Sequence, residues 1–310
     1  MNKNKAIDTQ RSKDYKNLKQ FVVKEECELL EFLLKTFQGQ SRNSVKSLLS
    51  SHRVSIEGAP VTQFNFKLYP GDTVIISNTA IHKKTRINLP IIYEDNDLIV
   101  INKPTKLLSV PSDNEKGSTA FRMVNDYLQQ KDKHNRAFIV HRLDEDTSGV
   151  LMFAKNVKMA NALTDGDNWN NLVKKRGYYA IVEGILDKKE GTVSSWLKKN
   201  SQNMMYSSKK KGDGQLAITN YKIIQENKLY SLADVDIKTG RKNQIRVHFG
   251  DMGHFIIGDD KYGEPSNPIK RLGLHAYELD IVNPLNGKLM KFKAPMPKEF
   301  NSLFNSNKKK

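Results

Sequence analysis

Residues 141–149 read HRLDEDTSG and place His141, Arg142, Asp144, Glu145 and Asp146 between two apolar runs, FIV and VLMFA, each suited to a buried strand. A connecting turn needs polar residues, but it does not need this much charge. Thr147, Ser148 and Gly149 supply turn chemistry and return the chain to the second run. Asp144 has the strongest claim to reactivity. It sits mid-loop beside an arginine and beside Leu143, whose apolar side chain should anchor that part of the loop near the core. A carboxylate held there needs an opposite charge to stay ionised. The best source of one lies far along the chain, in TGRKNQIRVH at residues 239–248.

Other chemistries fit the loop less well. His141 could serve as a base, but beside a committed aspartate it reads as a hydrogen-bonded structural residue. Glu145 and Asp146 read as residues that cap and tighten the turn. Ser148 lacks the Gly-x-Ser-x-Gly elbow of a serine hydrolase. HRLD differs from the kinase loop because Leu143 interrupts it, and neither a glycine-rich loop nor DFG is present. His248, His254 and His275 lack the spacing of a zinc set. Cys27 is the only cysteine, which excludes an intramolecular disulfide and a paired-thiolate metal site.

The bulk numbers narrow the partner. The chain carries 51 Lys and Arg against 34 Asp and Glu, a net charge of +17, which favours a polyanion: nucleic acid first, an anionic membrane second. No apolar run approaches the ~18 residues of a membrane span, and no basic amphipathic helix or apolar leader is evident. The expectation is a cytoplasmic protein with a nucleic acid as partner, no membrane and no obligate protein partner.

The elements that must position the loop come in two groups. Residues 1–20 read as a basic tail and 303–310 as another. Residues 21–79 form a compact unit: CELLEFLLKTF puts Leu29, Leu30, Leu33, Leu34 and Phe37 on one helical stripe, and Ser41 is placed to cap a second helix bearing Val45, Leu48 and Leu49. RVSIEG and DTVIIS read as strands. Arg42 and Lys46, four residues apart, share a helix face away from the leucines, and Arg53 opens the following strand. This pattern resembles the S4 RNA-binding domain, which implies that Arg42, Lys46 and Arg53 contact structured RNA. Residues 80–90 read as a linker. From 91 to 302, IIYEDNDLIVINKP, GYYAIVEGIL, AITNYKII, LYSLADVDI and LMKFKAP read as strands, whereas TAFRMVNDYLQQ and the NQIRVHFGDMG region read as helices. Many strands with few helices predict an α+β domain with a largely antiparallel sheet. Tyr178 and Tyr179 alternate faces on a strand, so only one can face a site.

The charged loop is not the only distinctive block. VINKP (100–104), RGYYAIVEG (176–184), TGRKNQIRVHFGDMGHFIIGDDKYG (239–263) and RLGLHA (271–276) occur in that order with HRLDEDTSG. Together they resemble the motifs of the RluA-type RNA pseudouridine synthases, which isomerise uridine in ribosomal and transfer RNA and often carry an S4 domain. The resemblance implies roles. Asp144 matches the catalytic aspartate. Tyr178 matches the tyrosine that lies against the target base and assists proton removal, and Arg246 the arginine that pairs with the aspartate. Arg142 matches the arginine that enters the space left by the flipped nucleotide, and Leu274 an apolar residue at the pocket. Arg241 belongs with the RNA-contacting set.

The reaction so implied is redox-neutral and uses no metal or other cofactor. Three positions depart from the motifs. Asn243 stands where histidine is frequent and reads as a polar supporter. Lys106 replaces a usual glycine, so the local turn is expected to differ. Arg176 takes a place often held by lysine. Ribosomal RNA is the expected target. The alternatives are the same activity on transfer RNA, or a non-catalytic RNA-binding or assembly factor built from the same domains.

Overall fold

A computed structural model describes residues 18–56, 59–78, 89–111, 118–263 and 266–305. The chain divides into two compact units, Met1–Arg86 and Ile87–Lys310.

The first unit runs β1 (Leu18–Val22), β2 (Cys27–Glu28), α1 (Leu29–Thr36), α2 (Arg42–Ser50), β3 (Val54–Ile56), β4 (Ala59–Pro60), β5 (Lys67–Leu68) and β6 (Thr73–Ser77). Four strands form a sheet in the order β1-β6-β3-β4, and β2 pairs with β5. The apolar stripe of α1 buries Leu29, Leu30 and Leu33 against Val45 and Leu49 of α2 and against Val54 and Val74 of the sheet. Ser41 caps α2 as expected, its hydroxyl accepting from the Ser44 amide at 3.2 Å. One boundary moves. The basic tail does not reach residue 20, because residues 18–22 pair antiparallel with β6, Phe21 opposite Val74. The open edge of β6 takes up a segment in which Lys19, Gln20 and Val22 are all exposed, so it carries little period-two signal.

The second unit contains β7 (Ile91–Glu94), β8 (Leu98–Lys103), α3 (Ala120–Lys131), β9 (Phe138–Ile139), β10 (Ser148–Ala154), α4 (Val157–Thr164), α5 (Asn168–Leu172), β11 (Val173–Glu183), β12 (Glu190–Lys199), β13 (Met205–Ser208), β14 (Gln215–Glu226), β15 (Tyr230–Ile237), α6 (Gln244–Asp251), β16 (Leu274–Val282), β17 (Leu289–Lys293) and α7 (Lys298–Asn305). Eleven strands form one sheet, ordered β13-β12-β14-β15-β11-β16-β10-β8-β7, with β17 on β16 and β9 on β10. Among the pairings between the named strands only β10 with β16 is parallel, so the α+β fold with a largely antiparallel sheet stands. Strands β12, β13 and β16 were not expected from the sequence. The second tail also shortens: residues 303–305 end α7, where Phe300 and Phe304 are buried against Ile181 and Leu232. Most of the expected linker, and residues 1–17 and 306–310, lie outside the described residues. No helix among the described residues is long and apolar enough to cross a membrane.

The parallel contact of β10 with β16 fixes where the charged loop ends. Gly149 sits at φ +119 where β10 begins, and a Cβ there would lie 2.0 Å from the carbonyl oxygen of Ala276. Only glycine allows the two backbones to meet so closely. The residue expected to complete a turn thus opens the strand instead, and it joins the charged loop to β16, which carries Leu274.

Candidate active site

The charged loop is held from below by the residues that follow β8. Lys103, fully buried, donates to three carbonyls: Pro104 at 3.0 Å, Leu107 at 2.7 Å and Glu145 at 2.9 Å. Three acceptors match the three N–H bonds of an ammonium. Burial pushes the Lys103 pKa down to about 7, against the pull of the Asp146, Asp144 and Glu145 carboxylates. Thr105 donates to the Asp146 carbonyl at 2.8 Å, and Ser109 exchanges two bonds with the Leu143 backbone at 2.7 and 3.0 Å. Leu143 is buried with Leu151, Phe153 and Ala276, as its place beside Asp144 predicted. Lys106 takes φ +58, the left-handed conformation glycine would adopt freely, so the local turn keeps that geometry despite the side chain.

This scaffold presents Asp144 to a cavity of about 300 Å³ lined also by Arg142, Tyr178, Arg241, Asn243, Arg246 and Leu274. Every cavity residue expected from the sequence is therefore in one place. Arg142 is exposed at it, Arg241 and Tyr178 are half-buried, and Leu274 is buried. Strand alternation separates the two tyrosines. Tyr178 joins the cavity, while Tyr179 stacks on Tyr277 with ring centroids 4.1 Å apart. Burial pushes the Tyr178 phenol up to about 12; Arg176 opposes that rise and Asp144 adds to it. At neutral pH Tyr178 is a neutral phenol.

One expected contact is corrected. The bidentate partner of Arg246 is Asp259, not Asp144: Nε lies 2.8 Å from Oδ2 and Nη2 lies 2.6 Å from Oδ1. Asp259 is almost wholly buried and also accepts from the amides of Lys261 and Tyr262, each at 3.0 Å. The GDDKYG turn brings this carboxylate back against α6, and a fork-shaped guanidinium pairs best with a carboxylate that can meet both its arms. Burial opposes the charge on Arg246, but the bonds and charge of Asp259 outweigh it and hold the guanidinium above its usual value, with Asp144 adding to the same effect. Arg246 thus acts on Asp144 through space as a fixed positive charge.

The direct donor to Asp144 is Asn243, whose Nδ2 lies 2.8 Å from Oδ2. Asn243 sits in the left-handed region at φ +54, just ahead of α6, a conformation asparagine tolerates better than most residues. Its own oxygen accepts from the Tyr262 hydroxyl at 3.1 Å, and that hydroxyl accepts from the Met205 amide at 3.0 Å. The position read as a polar supporter therefore touches the reactive carboxylate. Asp259, Tyr262 and Lys103 were not singled out from the sequence, although all three lie inside the quoted motifs.

The remaining polar residues have structural partners. His141 accepts the Met152 amide at 3.0 Å, stacks on Trp169, and is kept neutral by burial, with a pKa of about 3. His248 lies 2.8 Å from Thr219 Oγ1 and 2.9 Å from Ser195 Oγ, and His275 lies 2.7 Å from Ser148 Oγ. In the first unit, Arg42 and Lys46 are exposed on α2, and the Lys46 ammonium lies 5.6 Å from the centre of the exposed Phe64 ring. Arg53 is less free, its Nε donating to the Ser77 carbonyl at 2.8 Å.

A family model described as RNA pseudouridylate synthase matches residues 97–251. An uncharacterised RNA pseudouridine synthase of Bacillus subtilis is 31% identical over 90% of this chain and 93% of its own length. Ribosomal large subunit pseudouridine synthase D of Haemophilus influenzae is 30% identical over 89% of this chain and 90% of its own. Among solved structures, human RNA pseudouridylate synthase domain containing 4 superposes with a TM-score of 0.56 at 22% identity, over 68% of this chain and 90% of that one, a likeness of fold.

Proposed function

Because this chain belongs to the RNA pseudouridine synthase family, we propose that it isomerises a uridine of structured ribosomal RNA at the Asp144 cavity, in the cytoplasm. Members of the family are isomerases that act on RNA, and so is this chain. What supports the assignment of the site is one observation above all: a carboxylate bonded to Asn243 and facing the charge of Arg246 opens into a cavity that takes the size of a small ligand.

The chemistry breaks the bond from N1 of uracil to C1′ of the ribose, turns the base and rejoins it through C5, whose hydrogen leaves as a proton. A uracil stacked in a helix is out of reach, and extruding it costs a few kcal/mol. Arg142, exposed at the cavity, offsets part of that cost by filling the gap and meeting phosphate. Asp144 acts as nucleophile or as the anion opposite positive charge developing on the sugar; the Asn243 N–H holds its Oδ2 in place and the Arg246 charge faces it. Tyr178 packs against the base as a phenol, and its high pKa makes it a poor base until a neighbour relieves it of its own proton. Leu274 closes the apolar side.

The first unit is read as an S4-like RNA-binding domain, supported by two helices followed by a strand hairpin and by the exposed Arg42, Lys46 and Phe64. Relatives named for the ribosomal large subunit favour ribosomal over transfer RNA. A protein that only bound RNA would have no use for a buried ion pair beneath a half-buried carboxylate at a cavity. Mapping of pseudouridines in cells lacking the gene tests the reading. At least one large-subunit site should revert to uridine and be restored by the wild-type gene but not by Asp144→Ala. Loss confined to transfer RNA would overturn the target, and an unchanged map the whole reading.

A further inference from the structure

A second cavity, also about 300 Å³, shares Arg142, Leu143, Tyr178 and Arg241 with the first but not Asp144. The cation it does not share with the first is Arg176, only 9% exposed. A guanidinium taken out of water is costly unless an anion answers it. Within the described residues nothing anionic does so. Arg176 Nη2 donates to the neutral Asn170 Oδ1 at 2.9 Å, and no described carboxylate is in ion-pair contact with it. Glu278 lines the same cavity but is engaged by Lys175 and by Lys293 at 2.9 Å. Asp236 accepts from the Arg176 backbone amide at 3.4 Å, while its other oxygen is held by Lys238 at 2.5 Å.

The surroundings preserve that guanidinium. A Cβ on Gly240 would stand 2.9 Å from Arg176 Nη1, so glycine leaves the room the group needs. Arg241 adds a second guanidinium, its Nε bonded to the Leu216 carbonyl at 3.0 Å. Trp169, stacked on His141 at 4.7 Å, makes an apolar wall. Burial is the main influence against the ionised form of Arg176; Tyr178 and Asp236 favour that form, and the charge of Arg241 opposes it least.

We propose that this cavity is a phosphate site, in which Arg176 and Arg241 hold the RNA backbone next to the nucleotide that enters the Asp144 cavity. The proposal rests on the RNA substrate argued above. Two guanidinium forks beside an apolar wall, with the nearby carboxylates already neutralised, suit a phosphodiester. Since Tyr178 and Arg142 border both cavities, a phosphate held here would fix the neighbouring nucleotide while the target base turns.

The test uses the full chain with unmodified large-subunit ribosomal RNA transcribed in vitro. Turnover and RNA affinity are measured over a range of salt for the wild type, R176K, R176Q and G240A. For R176Q, KM should rise about tenfold with most of kcat kept, and the slope of log affinity against log salt should shrink by about 0.7–0.9, the value of one phosphate contact. R176K, which keeps the charge, should recover much of the loss. G240A, which displaces Nη1 without removing charge, should shift KM in the same direction by less, and it stands in if R176Q does not fold. A folded R176Q with wild-type KM and salt slope overturns the proposal, as does a loss confined to kcat. Inorganic phosphate provides the other arm. If it stabilises the wild type but not R176Q while RNA affinity is the same for both, the site serves a free anion and the backbone assignment fails. Should the wild type not modify this RNA, the target reading fails, yet affinity and salt slope still decide the fate of the phosphate site.

Discussion

The Asp144 cavity and the basic face of α2 are both polar and both cationic, yet they are built in opposite ways. Around Asp144 nearly every polar atom is committed. Lys103 is buried under three carbonyls, Arg246 is locked to Asp259, and Asn243 is fixed by Tyr262. On α2, Arg42 and Lys46 extend into solvent, and Lys46 lies over an exposed ring. The first arrangement spends stability on geometry, because a reacting group must be held within a fraction of an ångström. The second needs only charge near a polyanion, which is screened by salt and tolerant of position. Substitutions should therefore act on rate in one region and on affinity in the other.

The largest effect should come from Asp144→Ala. Turnover on RNA should fall at least about 10³-fold with affinity close to wild type; normal turnover would remove the catalytic assignment. Lys103→Met should come next, leaving three carbonyls without their donor and costing about 3 kcal/mol of unfolding free energy. Urea denaturation would show it, and a loss below about 0.5 kcal/mol, the scale of an ordinary surface change, would mean that the loop does not depend on this ammonium.

Acid should divide the units. Burial lowers the pKa of His141 to about 3, of His248 to about 4 and of His275 to about 4, and all three lie in the second unit. Their unfolded value is near ~6.5. Between that value and about 4 the unfolded chain binds the extra protons, so the stability they provide is complete above about pH 6.5 and is lost as pH falls. Urea midpoints of the second unit should fall from pH 7 to pH 5, and the slope should flatten in His248→Asn; a flat profile in the wild type would contradict the buried neutral histidines.

A smaller effect is expected for Asn243→Ala, about tenfold to a hundredfold in kcat, as for the loss of one bond to a catalytic charge. A fall in affinity without a fall in kcat would move Asn243 to the binding surface. Smallest of all, the double change Arg42→Ala and Lys46→Ala should weaken binding of ribosomal RNA by only several-fold at moderate salt and reduce the salt slope by about 1 to 2. A drop in kcat at saturating RNA would erase the contrast between the two regions.

Parts of this contrast are legible without coordinates. The helical stripe of α1, the Ser41 cap, the strand alternation that separates Tyr178 from Tyr179 and the anchoring role of Leu143 follow from local spacing. The long strands β12 and β16 are harder to read. In β16 nearly every residue is buried, so the period of two is lost, and Glu278 and Asp280 interrupt the apolar run. Strand β12, between β13 and β14, alternates, but with small polar residues such as Ser194 and Ser195 that give little hydrophobic signal.

Sequence alone determined which residue types meet at the cavity: an aspartate between two apolar runs, a tyrosine on a strand, an arginine on a following helix, and a strongly basic chain around them. It could not determine who bonds to whom. Arg246 turned to Asp259, and Asn243 took Asp144, because hydrogen bonds depend on distances of a few tenths of an ångström set by packing, whereas residue patterns record only which faces are buried. The same holds for Gly149 and Gly240. Each is a glycine because of a neighbour far away in the chain, a backbone in one case and a guanidinium in the other, and only folding brings that neighbour near.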